Sequence, residues 1–168
     1  MNNRVKFVID DIPSVNKVWR SLSKEDRIHL CGGNVPAVKD KYLNDPEGDF
    51  AKKFIYDDFG FILTLLIDSE PAGFVDVMRA WDGKKYITKS EISMAIVPKW
   101  RGRGFGKKLV SQAMSMVKDN SDYKTIEWYA TEDNIASNKL AESNGFKFKK
   151  TFVGRDGHTK LNMWIYTQ

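Results

Sequence analysis

Cysteine occurs once, at Cys31, and histidine twice, at His29 and His158, in a chain of 168 residues. A single thiol excludes an internal disulfide and leaves a zinc cluster without further cysteine ligands, so a reducing, cytoplasmic setting is expected. Neither histidine stands in a pattern such as HExxH, and both are read as surface or loop residues. No metal is therefore expected. Long apolar runs are missing as well: the longest, Phe59 to Ile67 (FGFILTLLI), is far below the ~20 residues of a membrane helix. The opening MNNRVKFVIDDIP has no sustained apolar core for a secretory signal. No membrane partner is expected.

What the chain does have is 42% hydrophobic and 29% charged residues, with ten Phe, five Trp and six Tyr, the material of a packed core. Its length fits one domain spanning residues 1–168. A net charge of +5 favours anionic partners without separating a nucleic acid from a phosphorylated cofactor. Nothing in the composition separates a monomer from a homodimer.

Apolar periodicity gives the order of elements. Arg4 to Ile9 alternates as a strand, and Pro13 and Ser14 open a helical pattern through Val15, Val18, Trp19 and Leu22. CGGNVP (31–36) breaks it, a second helix is predicted over Val38–Leu43, and NDPEGD (44–49) reads as a turn. Phe59–Ile67, the turn DSEP (68–71) and Ala72–Met78 form a hairpin pattern, followed by a polar connection, AWDGKKY. In the strand Glu91–Val97, Glu91, Ser93, Ala95 and Val97 share one face. A helix then runs from Phe105 to about Lys118, followed by a strand at Ile126–Ala130. A helix capped by Asp133 or Asn134 and stopped by Asn144-Gly145 comes next, before strands at Phe146–Val153 and Leu161–Tyr166. The helical link between the Glu91 and Ile126 strands implies one parallel pair in a mixed sheet, an α/β class (α+β on a strict definition).

Between the Glu91 strand and the Phe105 helix lies VPKWRGRGFGKKLV (97–110), with five basic residues and three glycines. A strand, a glycine-rich turn and a helix place unpaired backbone N–H groups and the positive end of a helix dipole around one spot, which suits a phosphate or pyrophosphate. Gly102, Gly104 and Gly106 fit that turn, where a Cβ would obstruct the approach of a ligand and some positions need positive φ. GxGxxG fails because position 107 is Lys107, and GxxxxGK[ST] fails because position 101 is Arg101. An ordinary βα turn with solvated charges stays open, as does a nucleic-acid reading in which Arg101, Arg103, Lys99, Lys107 and Lys108 contact phosphates.

Arg101-x-x-Gly104-x-Gly106 in this setting resembles the [QR]xxGx[GA] signature of the GNAT superfamily of acyl-CoA-dependent N-acyltransferases. NIASNKLAESNGF (134–146) is similar to its second element, an Asn-led helix ending in Gly-Phe, and the resemblance covers about residues 59–153. It implies a mostly antiparallel sheet flanked by about four helices, whose central parallel pair is splayed to admit the cofactor. Acetyl-CoA is the implied cosubstrate and an amine the acceptor. Backbone amides across Arg101, Gly102, Arg103, Gly104, Phe105, Gly106 and Lys107 would hold the coenzyme A pyrophosphate. The backbone of Ala95, Ile96 and Val97 would pair with the pantetheine arm, which Asn134 would also contact, with Ser137, Asn138 or Lys139 near the nucleotide end.

Direct attack of an amine on a thioester needs a neutral amine, donors for the oxyanion and a proton for the thiolate. Glu91 resembles the strand carboxylate that some histone-acetylating members use as general base, and burial would raise its pKa toward that task, with a solvent-facing strand-end glutamate as the competing reading. The family's tyrosine acid, seven residues beyond the leading Asn, is replaced by Ala141. Tyr129 stands where ribosomal-protein acetylating members carry a glutamate and could donate a proton instead, with a half-buried strand tyrosine as the competing reading. Two alternatives remain, an acyl-CoA-binding module with little turnover and a basic nucleic-acid-binding protein. The acceptor has no decodable signature; Asp45–Asp49, Asp57-Asp58 and the aromatics Trp81, Tyr86 and Trp128 are weighed for it, with solvated charge and aromatic core as the competing readings.

Overall fold

The computed structural model describes residues 3–30, 60–81, 86–119, 124–154 and 156–168. The CGGNVP break, the helix expected over Val38–Leu43, the NDPEGD turn and Asp57-Asp58 lie outside the described residues, as do the side chains of Trp81 and Tyr86. Among the described residues, seven strands form one sheet in the order β1-β2-β3-β4-β5-β7-β6. They are β1 Val5–Ile9, β2 Phe61–Ile67, β3 Glu70–Trp81, β4 Tyr86–Ile96, β5 Thr125–Thr131, β6 Lys147–Val153 and β7 Lys160–Thr167. Neighbours are antiparallel except β4 and β5, which are parallel. Four α-helices accompany them among the described residues: α1 Ile12–Ser21, α2 Lys24–Leu30, α3 Phe105–Asp119 and α4 Ile135–Ser143. This is the mixed α/β class expected.

Helices cover both faces. On one face, Phe105, Leu109, Val110, Ala113, Met114 and Val117 form the buried stripe of α3 and pack with Leu63, Val75, Ile92, Ile126 and Trp128. On the other, Val15, Val18 and Trp19 of α1 and the following Leu22 bury Ile62, Phe74 and Ala95. No helix among the described residues is long and apolar enough to cross a membrane.

Local chemistry explains the element ends, including those that differ from expectation. The β2–β3 turn is two residues, Asp68 and Ser69, at φ 51° and 69°, so Glu70 and Pro71 belong to the strand. Pro71 sits where the register slips between Leu65 and Leu66, a bulge that tolerates the missing N–H. Ala80, Trp81 and Tyr86, read as connection, are strand residues, because the β3–β4 ladder continues to Trp81↔Tyr86. Helix α2 escapes the periodicity because KEDRIHL carries few apolar residues; its signal is a capping box. Ser23 Oγ accepts from the Asp26 amide at 3.0 Å, and Asp26 Oδ2 accepts from the Ser23 amide at 3.3 Å. At the end of α4, Gly145 at φ 86° donates to Glu142, and Phe146 donates to Ala141, a Schellman closure that turns the chain into β6.

Candidate active site between the parallel strands

Pairing of β4 with β5 runs from Lys89↔Thr125 to Ile92↔Trp128 and stops there. Beyond it β4 follows β3 to Ile96 while β5 follows β7 to Thr131, so the sheet opens between them. The Val97 amide donates to the Ala72 carbonyl at 2.8 Å. By the alternation of an antiparallel pair, Ala95 and Val97 therefore turn their backbone groups to β3, and Met94 and Ile96 turn theirs to the opened edge. This corrects the expected trio: of Ala95, Ile96 and Val97, only Ile96 turns its backbone to the opening, with its carbonyl already accepting from Arg101 Nε, and Met94 joins it. A cavity of about 390 Å³ fills the gap, within the range of small-ligand sites.

One wall of that cavity is the glycine turn and the start of α3, including Gly102, Gly104, Gly106 and Lys107. The first intrahelical bond runs from the Lys108 amide to the Gly104 carbonyl at 3.2 Å, so the amides of Phe105, Gly106 and Lys107 have no partner within the helix. Gly102 and Gly104 adopt φ 71° and 79°, and a Cβ at either would meet nothing within 4 Å. Their positive φ requires glycine for backbone conformation, and no protein atom crowds the space in front of them. Gly106 differs, since its Cβ would lie 3.4 Å from Leu140 Cδ2 and 3.5 Å from Met94 Cε. Phe105 turns its ring into the core, edge-on to Trp100 at 5.7 Å, which leaves its amide as the group able to serve a ligand.

The basic residues of this turn are not one strip. Lys99 pairs with Glu70, and the Arg103 guanidinium lies 5.0 Å over the Trp100 ring. Arg101 is committed inward: Nε donates to the Ile96 carbonyl at 2.9 Å, and its guanidinium pairs with Asp26 of α2 at 3.0 Å. Burial opposes ionisation of Asp26, but hydrogen bonds from Arg101 and Ser23 and the charge of Arg101 outweigh it and hold the carboxyl below its ordinary value. Arg101 thus braces α2 against the end of β4. Arg101→Ala is expected to cost about 1 kcal/mol of stability or less, because the pair is part-exposed; paired urea titrations of wild type and variant check this.

Helix α4 supplies the facing wall through Asn134, Ala136, Ser137 and Leu140. Asn134 caps it, Oδ1 accepting from the Ser137 amide at 3.1 Å, so only its Nδ2 can donate outward. Ser137 Oγ accepts from Trp128 Nε1 at 3.0 Å. Asn138 does not fit the expected nucleotide contact, because it is fully engaged as a strut outside the cavity wall. Its Nδ2 donates to the carbonyls of Thr131 and Asn134, both at 2.9 Å, and its Oδ1 accepts from Asn162 at 3.1 Å and Trp164 at 2.8 Å. Lys139 is exposed and also outside the wall. Ala141 is fully buried in the core, where no side-chain acid stands.

The α1–α2 side of the opening carries the titratable groups. Glu91 is exposed and is not part of the cavity wall, so of its two readings the structure shows the solvent-facing one. Tyr129 does line the cavity, but its hydroxyl donates to Glu127 Oε2 at 2.7 Å. Burial, that hydrogen bond and the nearby carboxylates push its pKa up, so it holds its proton more tightly than a free phenol. His29, read as a surface or loop histidine, is on α2, lines the cavity and contacts Thr131 Oγ1 through Nδ1 at 3.1 Å. Asp76 went unnoticed in the sequence; it is 2% exposed on β3 and accepts a hydrogen bond from Ser93 Oγ. The signal available was a lone acid at an inward position of FVDVM. Burial pushes its carboxyl up to about 7 despite the Ser93 hydrogen bond, with Glu91 adding to the rise.

Among curated proteins, none matches the chain. Solved structures share its fold at low identity. The GNAT domain of S. lividans PAT is 17% identical with a TM-score of 0.72, covering 99% of this chain and 90% of that one. An N-acetyltransferase from Staphylococcus aureus Mu50 is 17% identical with a TM-score of 0.70, covering 99% of each. A candidate acetyltransferase from Salmonella typhimurium, solved with its cofactor acetyl-CoA, is 17% identical with a TM-score of 0.69, covering 97% and 93%. The sequence model of the Acetyltransferase (GNAT) family matches residues 26–146, a span that holds both the glycine turn and the Asn-led helix, and the chain belongs to that family.

Proposed function

We propose that this chain, acting as one domain, transfers an acetyl group from acetyl-CoA to a primary amine by direct attack on the thioester. The observation that carries this reading is the meeting of two sets of backbone donors in one cavity: the opened edge of β4 at Met94 and Ile96, and the first amides of α3. The amides of Phe105, Gly106 and Lys107, with the helix dipole behind them, suit the pyrophosphate, and the Lys107 side chain adds charge. The β4 edge suits the amide-bearing pantetheine arm, as an added strand would, and Asn134, whose Nδ2 is not used in its cap, lines the same space. An acetyl-CoA-bound neighbour of the same fold supports the choice of cosubstrate.

The acceptor enters from the α1–α2 side, where Ser93, Tyr129 and His29 line the cavity and the exposed Glu91 adds negative charge that favours an ammonium group. Glu91 acts there by attraction, or through water as a base. Tyr129 gives up its proton reluctantly, so solvent protonates the departing thiolate, which leaves readily. Ala141 favours a second reading, an acyl-CoA-binding module with little turnover.

Incubating the protein with acetyl-CoA and spermidine, kanamycin, lysine methyl ester or a peptide with a free N-terminus tests the reading. Release of free CoA thiol with a matching mass gain on one amine is expected. Binding of acetyl-CoA without acetylation of any amine would favour the module instead.

A further inference from the structure

We propose that Ser93 and Asp76 form a proton relay for the acceptor, Ser93 Oγ taking a proton from the incoming ammonium group as it hands its own to Asp76 Oδ1. The inference rests on the acetyl-transfer reading above. Four observations converge on it. Ser93 is part of the cavity wall, one residue beyond the last β4–β5 pair, which puts it beside whatever enters the opening. Asp76 is its directly opposed partner on β3, and their side chains share a face. The hydrogen bond between them gives the proton a defined path. A buried carboxylate that is held by one hydroxyl and stays outside the cavity can receive a proton without binding the amine itself.

The groups around Asp76 suit a carboxyl that titrates near neutrality. Beside it on β4, Glu91 contributes negative charge; β2 opposes it with Ile62; and α1 covers this face with Val15, Val18 and Trp19. From α2, the Arg27 guanidinium is held by the carbonyls of Trp19 and Arg20, and Asp26 is paired with Arg101 while His29 contacts Thr131. Farther along the same face, β5 carries the Glu127–Tyr129 pair. Burial pushes the Asp76 carboxyl up to about 7, which matches a proton acceptor working near neutral pH.

The step balances. An ammonium N–H bond breaks, an O–H bond forms on Asp76, and the Ser93 hydroxyl is regenerated. The freed nitrogen lone pair forms the C–N bond as the C–S bond breaks. The second proton on nitrogen goes through water to the thiolate, and Asp76 returns its proton to solvent when products leave.

The test is the pH dependence of kcat for the fastest amine of the panel above, in wild type, Ser93→Ala, Ser93→Thr, Asp76→Asn and Glu91→Gln, with acetyl-CoA affinity measured for each. In wild type, kcat should fall about tenfold per pH unit below about 7. Ser93→Ala and Asp76→Asn should each lose about 100-fold and this limb, with no further loss on combining them, while Ser93→Thr restores most of the rate. Glu91→Gln should keep the limb and move it to lower pH, since a negative charge that raises the Asp76 pKa is gone. Acetyl-CoA affinity should stay within about threefold throughout. An unchanged limb and rate in Ser93→Ala would overturn the relay while leaving acetyl transfer standing. Acetyl-CoA binding with no amine acetylated by wild type would overturn both.

Discussion

Gly104→Asp is expected to weaken acetyl-CoA binding by about 1,000-fold while the protein stays folded. Gly104 is the residue whose carbonyl accepts the first helical bond of α3, and space around its Cβ position is open. A carboxylate there reaches the amides of Phe105, Gly106 and Lys107 in cis, competing with the pyrophosphate for the same donors. It also adds repulsion. Two unit charges about 4 Å apart at an effective dielectric of about 20 interact by roughly 4 kcal/mol, which sets the expected factor. The φ of 79° adds backbone strain of about 1 kcal/mol, less for Asp than for most residues, which lowers stability without removing the fold. Gly106→Asp is a poorer probe, because its side chain would push into Leu140 and Met94 and disturb the packing of α3 on α4 and β4. Calorimetric titration with acetyl-CoA, with circular dichroism to monitor the fold, reads the effect; unchanged affinity in folded Gly104→Asp would remove the turn from the binding site.

Stability should fall as pH rises from about 4 to about 7, and Asp76→Asn should abolish that component. The Asp76 carboxyl titrates near 3.8 when unfolded and at about 7 when folded, with burial the chief cause. At a pH below both values it is protonated in either state, and its contribution to stability is fully present. Between them the folded protein binds more protons than the unfolded chain, so stability declines with rising pH. Above about 7 the carboxylate is buried as a charge, at a cost on the order of a few kcal/mol. An asparagine at 76 still accepts from Ser93 Oγ and never ionises. Urea titrations should therefore find Asp76→Asn more stable than wild type near pH 8 and equal to it near pH 4. Parallel stability profiles for the two proteins would show that Asp76 is no more strained folded than unfolded.

The legible parts of this protein are those where local physics and position coincide. The α3 stripe and the Asn144-Gly145 stop follow from spacing and residue type, the parallel pair from the helix that links its strands, and of the two candidate caps, Asp133 and Asn134, it is Asn134 that caps α4. Spacing also singled out the glycine turn, but not the division of labour within it. Gly102 and Gly104 serve φ while Gly106 serves packing, a difference that depends on α4 approaching from a distant part of the chain. The same limit applies to Arg101 and Asn138. Their residue types suit a phosphorylated ligand, yet Asp26, Ile96, Asn162 and Trp164 already engage them. Helix α2 was missed because its apolar residues are few, and with it went His29. A buried and a solvent-facing Glu91 were both open from the sequence; it lies on the same face as Asp76, yet Asp76 is the buried one. Burial of a polar strand residue is set by which helix covers the sheet, and strand alternation alone does not contain that.

The central claim, that acetyl-CoA enters the opening between β4 and β5 and lays its pyrophosphate on the first amides of α3, is tested most directly by amide NMR of the 15N-labelled protein during an acetyl-CoA titration. The largest shifts are predicted at Phe105, Gly106 and Lys107 and at Met94 and Ile96, saturating together at one stoichiometric equivalent. Saturable shifts confined to other surfaces, or none at millimolar acetyl-CoA, would contradict it.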